Sequence, residues 1–196
     1  MTLTKSQKPE FGTPAPDFSL PATDGKTYAL KDFSDKEVLV IIFTCNHCPY
    51  AQAAKPKLHD LLNEFKDKSV QFVAINPNDE QHYPEDDFDH MKKIEYDYPF
   101  PYLRDQSQEV AQGYSAVCTP DIFVFNDERK LVYHGQIDDD RPSLGAVAAK
   151  IVLGKEIKQD EAESTRDLAE AIIAILSRHK PDADQKPSLG CSIKWK

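Results

Sequence analysis

Long hydrophobic runs are absent from this sequence. The longest apolar stretches, residues 38–43 and 171–176, are six residues each, against about 20 for a membrane-spanning helix. Residues 1–12 are polar, so no secretory leader is visible, and a cytoplasmic location without membrane association is the expectation. Basic charge is in deficit: 24 Lys and Arg against 33 Asp and Glu leave a net charge of −9. Proteins that bind phosphate backbones concentrate Lys and Arg, so no nucleic-acid partner is expected. There is no internal repeat and no low-complexity block. Cysteine is scarce, at four in 196 residues. An apolar content of 40%, with ten Phe and eight Tyr, supplies a core that needs no disulfide scaffold. The few cysteines of a chain expected in the cytoplasm therefore read as chemical rather than structural.

What is present is an alternation of strand and helix signals. Residues 1–16 are rich in Pro and Thr and read as an extended arm. Residues 18–20 and 27–30 flank Asp24-Gly25, a hairpin-turn signal. The run VLVIIF at 38–43 is the signature of a strand buried on both faces. Residues 49–65 have helical spacing, with Ala51, Ala54, Leu58, Leu61, Leu62 and Phe65 as the inner face and Pro56 as an expected kink. A second buried strand spans 70–75. An acidic loop covers 77–90, followed by a short helix at 88–96, an extended piece at 99–103 and a short helix at 106–112. Residues 122–125 and 131–136 form a hairpin, and helices follow at 144–153 and 164–178. The division is thus an arm (1–16), one α/β domain (17–179) and a polar tail (180–196) that carries Cys191.

The tetrapeptide Cys45-Asn46-His47-Cys48 follows directly on the first buried strand and opens a helix. A thiol there faces unpaired backbone N–H groups and the positive end of the helix dipole, which favour thiolate. Two intervening residues let the second thiol reach the first. On this reading Cys45 attacks a substrate disulfide and Cys48 then resolves the mixed disulfide. His47 adds positive charge beside the pair. Half a zinc site would need a second Cys-x-x-Cys or a His pair, and none exists. The bland alternative is a pair of inert buried thiols.

Pro120 precedes a strand, where proline costs no ladder bond; a cis Thr119-Pro120 bond in a tight turn is the alternative to a trans one. Cys118 reads by default as a small buried hydrophobe, with a third redox thiol as its functional reading. The carboxylates Asp79, Glu80, Glu85, Asp86, Asp87 and Asp89, with His82 and His90, read as a solvated acidic loop in preference to a metal site. Asp138-Asp139-Asp140-Arg141 lacks the spacing of a calcium loop and reads as a turn with an internal ion pair. Cys191 is either incidental or a resolving thiol on a tail that Pro187 and Gly190 allow to swing.

Beyond these local signals, the chain resembles the thioredoxin-like superfamily, and within it the AhpC/TSA (redoxin) branch and its peroxiredoxin-like thioredoxin family proteins. The matching pieces are PAPDFSL (14–20), FTCNHCP (43–49), AINPND (74–79), YPED (83–86), FPYL (100–103), SQEV (107–110), CTPD (118–121), IDDDRP (137–142) and PSLGCSIKW (187–195). The resemblance implies a thioredoxin fold, a central mixed sheet flanked by helices, with an N-terminal hairpin and a C-terminal tail. It makes the cis Thr119-Pro120 bond the better expectation. It also implies that Cys45 and Cys48 hold the two active-site positions, with Thr44, Asn46, His47, Pro49 and Thr119 supporting them. Residues 77–98 are the extra segment of redoxins.

Two departures matter. In peroxiredoxins the peroxidatic cysteine sits at the position of Cys48, with Thr or Ser three residues earlier, where this chain has Cys45. An arginine just before the strand after the active-site proline is also missing from 116–121. Those groups polarise the peroxide. The expected function is therefore a thiol–disulfide oxidoreductase without a cofactor: Cys45 and Cys48 carry the chemistry, Pro120 orients the substrate, and Cys118 or Cys191 serves as a relay. Protein or small-molecule disulfides are the expected substrates, with thioredoxin as a candidate electron donor. The alternatives are a thiol peroxidase, a copper-handling module using Cys45, His47 and Cys48, and a non-catalytic scaffold.

Overall fold

A computed structural model describes residues 3–94, 98–140 and 164–196. The expected helix at 144–153 and Arg141 lie outside the described residues; the helix expected at 88–96 is seen as α2 (Phe88–Lys93), and residues 95 and 96 of that expectation lie outside them too. The first buried run forms β4 (Val38–Phe43). It pairs in parallel with β5 (Val70–Asn76) on one side and antiparallel with β8 (Asp121–Phe125) on the other. With β6 (Tyr102–Arg104) and β9 (Leu131–His134) at the edges, the sheet order is β6-β5-β4-β8-β9. A strand with neighbours on both edges and cover on both faces must be apolar at every position, as all six residues of β4 are.

Alternate residues of β4 enter two separate cores. Val38, Val40 and Ile42 pack with Ala54, Leu58, Leu61 and Phe65 of α1 (Pro49–Phe65) and with Leu168 and Ile172 of α4 (Asp167–Leu176). Leu39, Ile41 and Phe43 face the other way, against Phe18, Leu20, Phe33 and Tyr114. That second face is covered by the hairpin of β2 (Ser19–Pro21) and β3 (Thr27–Ala29) and by α3 (Glu109–Gly113). The hairpin turns where expected. Asp24 accepts from the Lys26 N–H at 3.0 Å, and Gly25 takes φ +84°, a conformation that costs glycine little. The expected inner face of α1 is buried except Leu62, which is partly so, and the helix runs unbroken through Pro56.

Both chain ends are built into a second sheet. The arm contributes β1 (Leu3–Lys5), the tail contributes β10 (Leu189–Ser192), and the sheet order is β1-β10-β7, where β7 is Cys118–Thr119. The tail is thus a docked strand. Among the described residues no helix is long and apolar enough to cross a membrane.

Candidate active site

The site lies where β4 ends. Thr44 continues the ladder by donating its N–H to the Ile75 carbonyl at 2.9 Å, and the chain then leaves the sheet through Cys45-Asn46-His47. Pro49 opens α1, as proline does well at a first helical position, and Cys48 is its N-cap. The thiol at the helix N-terminus is therefore Cys48. Cys45 sits one loop earlier.

Both thiols are buried and converge on one residue. Cys45 Sγ lies 3.3 Å from Thr119 Oγ1, and Cys48 Sγ donates to the Thr119 carbonyl at 3.1 Å. The Thr119-Pro120 peptide is cis, and Pro120 keeps partial exposure beside the pair. No disulfide joins the four cysteines. Cys191 is buried in the same cluster with Cys45, Cys48, Tyr50 and Ala51. Cys118 is buried outside that cluster, with its thiol turned toward the Pro120 carbonyl at 3.6 Å.

The four thiols differ electrostatically. Burial pushes the Cys45 thiol well above its ordinary range, with the neighbouring Cys48 and Asp86 adding to the effect. Burial also opposes a Cys48 thiolate, but hydrogen bonds from the Cys191 and Cys45 thiols and the Ala51 N–H outweigh it and hold Cys48 well below the ordinary thiol range. The Thr119 carbonyl, which favours the thiol form of Cys48, works against that shift. Cys191 is raised by its hydrogen bond to Cys48 and by burial. Cys118 is raised by burial and by Asp121. The cluster thus accommodates one negative charge, on Cys48, since a second thiolate beside it is repelled.

A buried carboxylate organises the loop. The acidic stretch expected to be solvated contains two fully buried members, Asp79 and Asp86. Asp86 accepts from the Asn46 N–H at 2.6 Å and from Asn78 Nδ2 at 2.8 Å, and its Oδ2 lies 2.6 Å from His47 Nδ1. Burial disfavours its charge, but these partners win and lower its pKa. Burial likewise depresses His47, and the Asp86 hydrogen bond and charge reverse that and raise it. His47 stacks on Tyr83 with ring centroids 5.1 Å apart. Asn46 is fixed at its other end, where its Oδ1 accepts from the Tyr102 hydroxyl at 2.7 Å and its Nδ2 donates to the Glu85 carbonyl. Thr44 Oγ1 faces the Tyr98 hydroxyl at 3.1 Å and not the thiols.

Asp86, Tyr83, Asn78 and Tyr102 were not among the expected site residues. Asp86 and Tyr83 lie within YPED, and nothing local separates Asp86 from the exposed carboxylates around it. For the Asp138–Asp140 turn, the expected internal pair with Arg141 lies outside the described residues. Asp138 and Asp140 pair with Lys57 of α1, at 2.7 and 3.1 Å, which ties that turn to the helix. Beside the pair runs a cleft lined by Tyr50, Ala54, Lys57, Pro120, Ile122 and Leu189.

Cys45, His47 and Asp86 bring donor atoms within 4.8 Å of one another, a spacing that a metal ion accepts. Cys48, which the copper reading requires, is not in this set. His47 Nδ1 and Asp86 Oδ2 are engaged with each other, and burial holds Cys45 as a thiol. The donors fit a hydrogen-bonded frame better than a coordination shell, whose thiol ligands are deprotonated.

Two thiols at the end of the central strand, a helix that starts on the second, and a cis proline facing both define a thioredoxin-like fold with a dithiol site. The same fold is seen in the thioredoxin domain of a thiol-disulfide oxidoreductase from Bacteroides vulgatus, with TM-score 0.54 at 23% identity over 66% of this chain and 90% of that one. More narrowly, the chain belongs to the AhpC/TSA family, whose model matches residues 11–134. An uncharacterized conserved protein from Geobacillus kaustophilus is 41% identical with TM-score 0.86, covering 100% of this chain and 97% of that one. Thiol-disulfide oxidoreductase ResA of Bacillus thuringiensis subsp. konkukian is 28% identical over 149 residues, 76% of this chain and 83% of that protein.

Proposed function

We propose that this protein is a thiol–disulfide oxidoreductase that cycles Cys45 and Cys48 between dithiol and disulfide. The observation that carries the reading is the convergence of both sulfurs on Thr119, at 3.3 and 3.1 Å, next to the partly exposed Pro120. The similarity to ResA, an oxidoreductase by name, supports the same reaction class. The sequence alone gives the first attack to Cys45; the geometry favours Cys48, the N-cap thiol whose charge is stabilised by its neighbours.

In the first step the Cys48 thiolate attacks one sulfur of a substrate disulfide. A Cys48–substrate disulfide forms, and the other substrate sulfur leaves as thiolate and takes up a proton. This consumes the negative charge in the cluster, which removes the main cost of ionising Cys45. The Thr119 hydroxyl, 3.3 Å away, is placed to donate to the new Cys45 thiolate. Cys45 then attacks Cys48, the second substrate thiolate departs, and the two electrons of the dithiol have moved to the substrate. A dithiol donor of the thioredoxin kind restores the pair by the reverse steps.

The test is turnover of a protein disulfide such as insulin by the full-length chain. Cys48→Ser is expected to abolish it, and Cys45→Ser combined with Cys191→Ser, which leaves no thiol in the cluster to resolve Cys48, to lower it by more than about tenfold, about 1.4 kcal/mol of transition-state stabilisation. Wild-type protein that leaves the disulfide intact, or a Cys45→Ser/Cys191→Ser variant with undiminished turnover, overturns the reading. A second reading, reduction of hydroperoxides, is favoured by the stabilised Cys48 thiolate. Among the described residues no arginine is left to support its transition state: Arg104 is engaged by the Asn76 carbonyl and Glu80, Arg129 by the Phe33 and Lys36 carbonyls, Arg166 by Glu64, and Arg178 by Glu37 and Asp127. Hydroperoxide consumption that depends on Cys48 alone would establish it.

A further inference from the structure

The tail strand β10 is held against the cis-proline segment in a way that leaves little freedom. It pairs antiparallel with β7, with Cys191 opposite Thr119 and Ser192 opposite Cys118. Its other edge is taken by β1, where Leu3 lies opposite Cys191. A Cβ at Gly190 would meet the Thr119 carbonyl oxygen at 2.0 Å and its carbon at 2.6 Å, so the strand reaches this depth because position 190 is glycine. Past the strand, Ile193 donates to the Val117 carbonyl and Lys194 to the Asn78 side chain, while the Lys194 carbonyl accepts from Asp79. The Lys194 ammonium lies 5.7 Å from the centre of the Tyr83 ring, whose face is stacked on His47. The tail is therefore registered on both halves of the site.

The register fixes where the tail thiol goes. Cys191 is the residue across from Thr119, and Cys48 Sγ is bonded to the Thr119 carbonyl. Cys191 is 3% exposed and packed in the cluster with Cys45 and Cys48. A thiol held on a paired strand beside the reacting sulfur has the high effective concentration that makes intramolecular exchange fast.

We propose that Cys191 is a second resolving thiol for Cys48, delivered by a strand that occupies the β7 edge; this rests on the proposed oxidoreductase function. Once Cys48 carries a substrate sulfur, Cys191 gives up its proton and attacks Cys48. A Cys48–Cys191 disulfide forms and the substrate thiolate leaves. Cys45 then attacks Cys48, forming the Cys45–Cys48 disulfide and returning Cys191 to the thiol, with no further oxidant. The tail thus shields the mixed disulfide from the surroundings and hands the oxidation to the Cys45–Cys48 pair.

The experiment oxidises full-length Cys45→Ser protein with one equivalent of diamide, which takes two electrons and two protons from a thiol pair. Peptide mapping after alkylation then locates the bond. A Cys48–Cys191 disulfide as the main product is expected. Gly190→Ala in the same background is expected to cut its yield severalfold by prising β10 from β7. With a peptide disulfide as oxidant, Cys45→Ser is expected to pass on to Cys48–Cys191, and Cys45→Ser/Cys191→Ser to accumulate the mixed disulfide. In wild-type protein quenched with acid, Cys48–Cys191 is expected before Cys45–Cys48. Cys191 still fully alkylatable once Cys48 is oxidised, in both the variant and the quenched wild type, overturns the proposal. If the wild type nevertheless ends as Cys45–Cys48, the oxidoreductase reading survives that result; if it never forms that bond, the failure lies with the oxidoreductase reading itself.

Discussion

The single residue that does most to shape the site is Asp86. With no exposed surface, it holds the Asn46 backbone, Asn78 and His47 at once. Its partnership with His47 has a pH signature. Asp86 is lowered from 3.8, so its contribution to stability is present above that value and lost as pH falls through its folded pKa. His47 is raised from 6.5, so its contribution is complete below 6.5 and lost as pH rises through its folded pKa. The stability difference between wild type and His47→Gln, from urea unfolding, should therefore be largest between pH 3.8 and 6.5 and shrink on either side. A difference that grows steadily to pH 9 would contradict the pairing. At this scale the sequence showed the thiols, His47 and Pro120, because residue type and position on a strand–helix junction carry their chemistry. Asp86 was hidden because its burial depends on how residues 77–87 fold over the site. The start of α1 was legible as well: it was read at residue 49 and lies at Pro49, which leaves Cys48 as the thiol at the N-cap.

Elements follow the same division. Strand β4 was legible because six consecutive apolar residues admit a strand buried on both faces. The hairpin at Asp24-Gly25 was legible because its turn residues are local. Removing most of a β4 side chain should show how far the site depends on the sheet. Ile42→Ala deletes a fully buried side chain from the face that packs on α1, and is expected to cost about 2–5 kcal/mol in urea unfolding. A loss below about 1 kcal/mol would mean that this core is not close-packed. The tail was not legible as a strand. LGCS has no alternating pattern, and its pairing partners are Leu3–Lys5 and Cys118–Thr119, both remote in sequence. Only tertiary contact turns residues 189–192 from a polar tail into an element.

For the whole molecule, two cores on opposite faces of one sheet hold the end of β4 rigid, and the two chain ends close over it as a second sheet. The fold class was legible because strand, helix and hairpin signals came in the right order and the motifs from residue 14 to 195 agreed with it. The net charge of −9 still argues against nucleic acid and contributes nothing to the chemistry. Four cysteines, few enough to rule out a disulfide scaffold, now separate into a pair on Thr119, a third thiol brought by the tail and a fourth turned away toward the Pro120 carbonyl. The most direct test of the central claim is the disulfide map of wild-type protein equilibrated with an oxidised glutathione buffer and alkylated. The account predicts one Cys45–Cys48 disulfide per chain, with Cys118 and Cys191 alkylated. Fully oxidised protein in which Cys45 is still alkylated would contradict it.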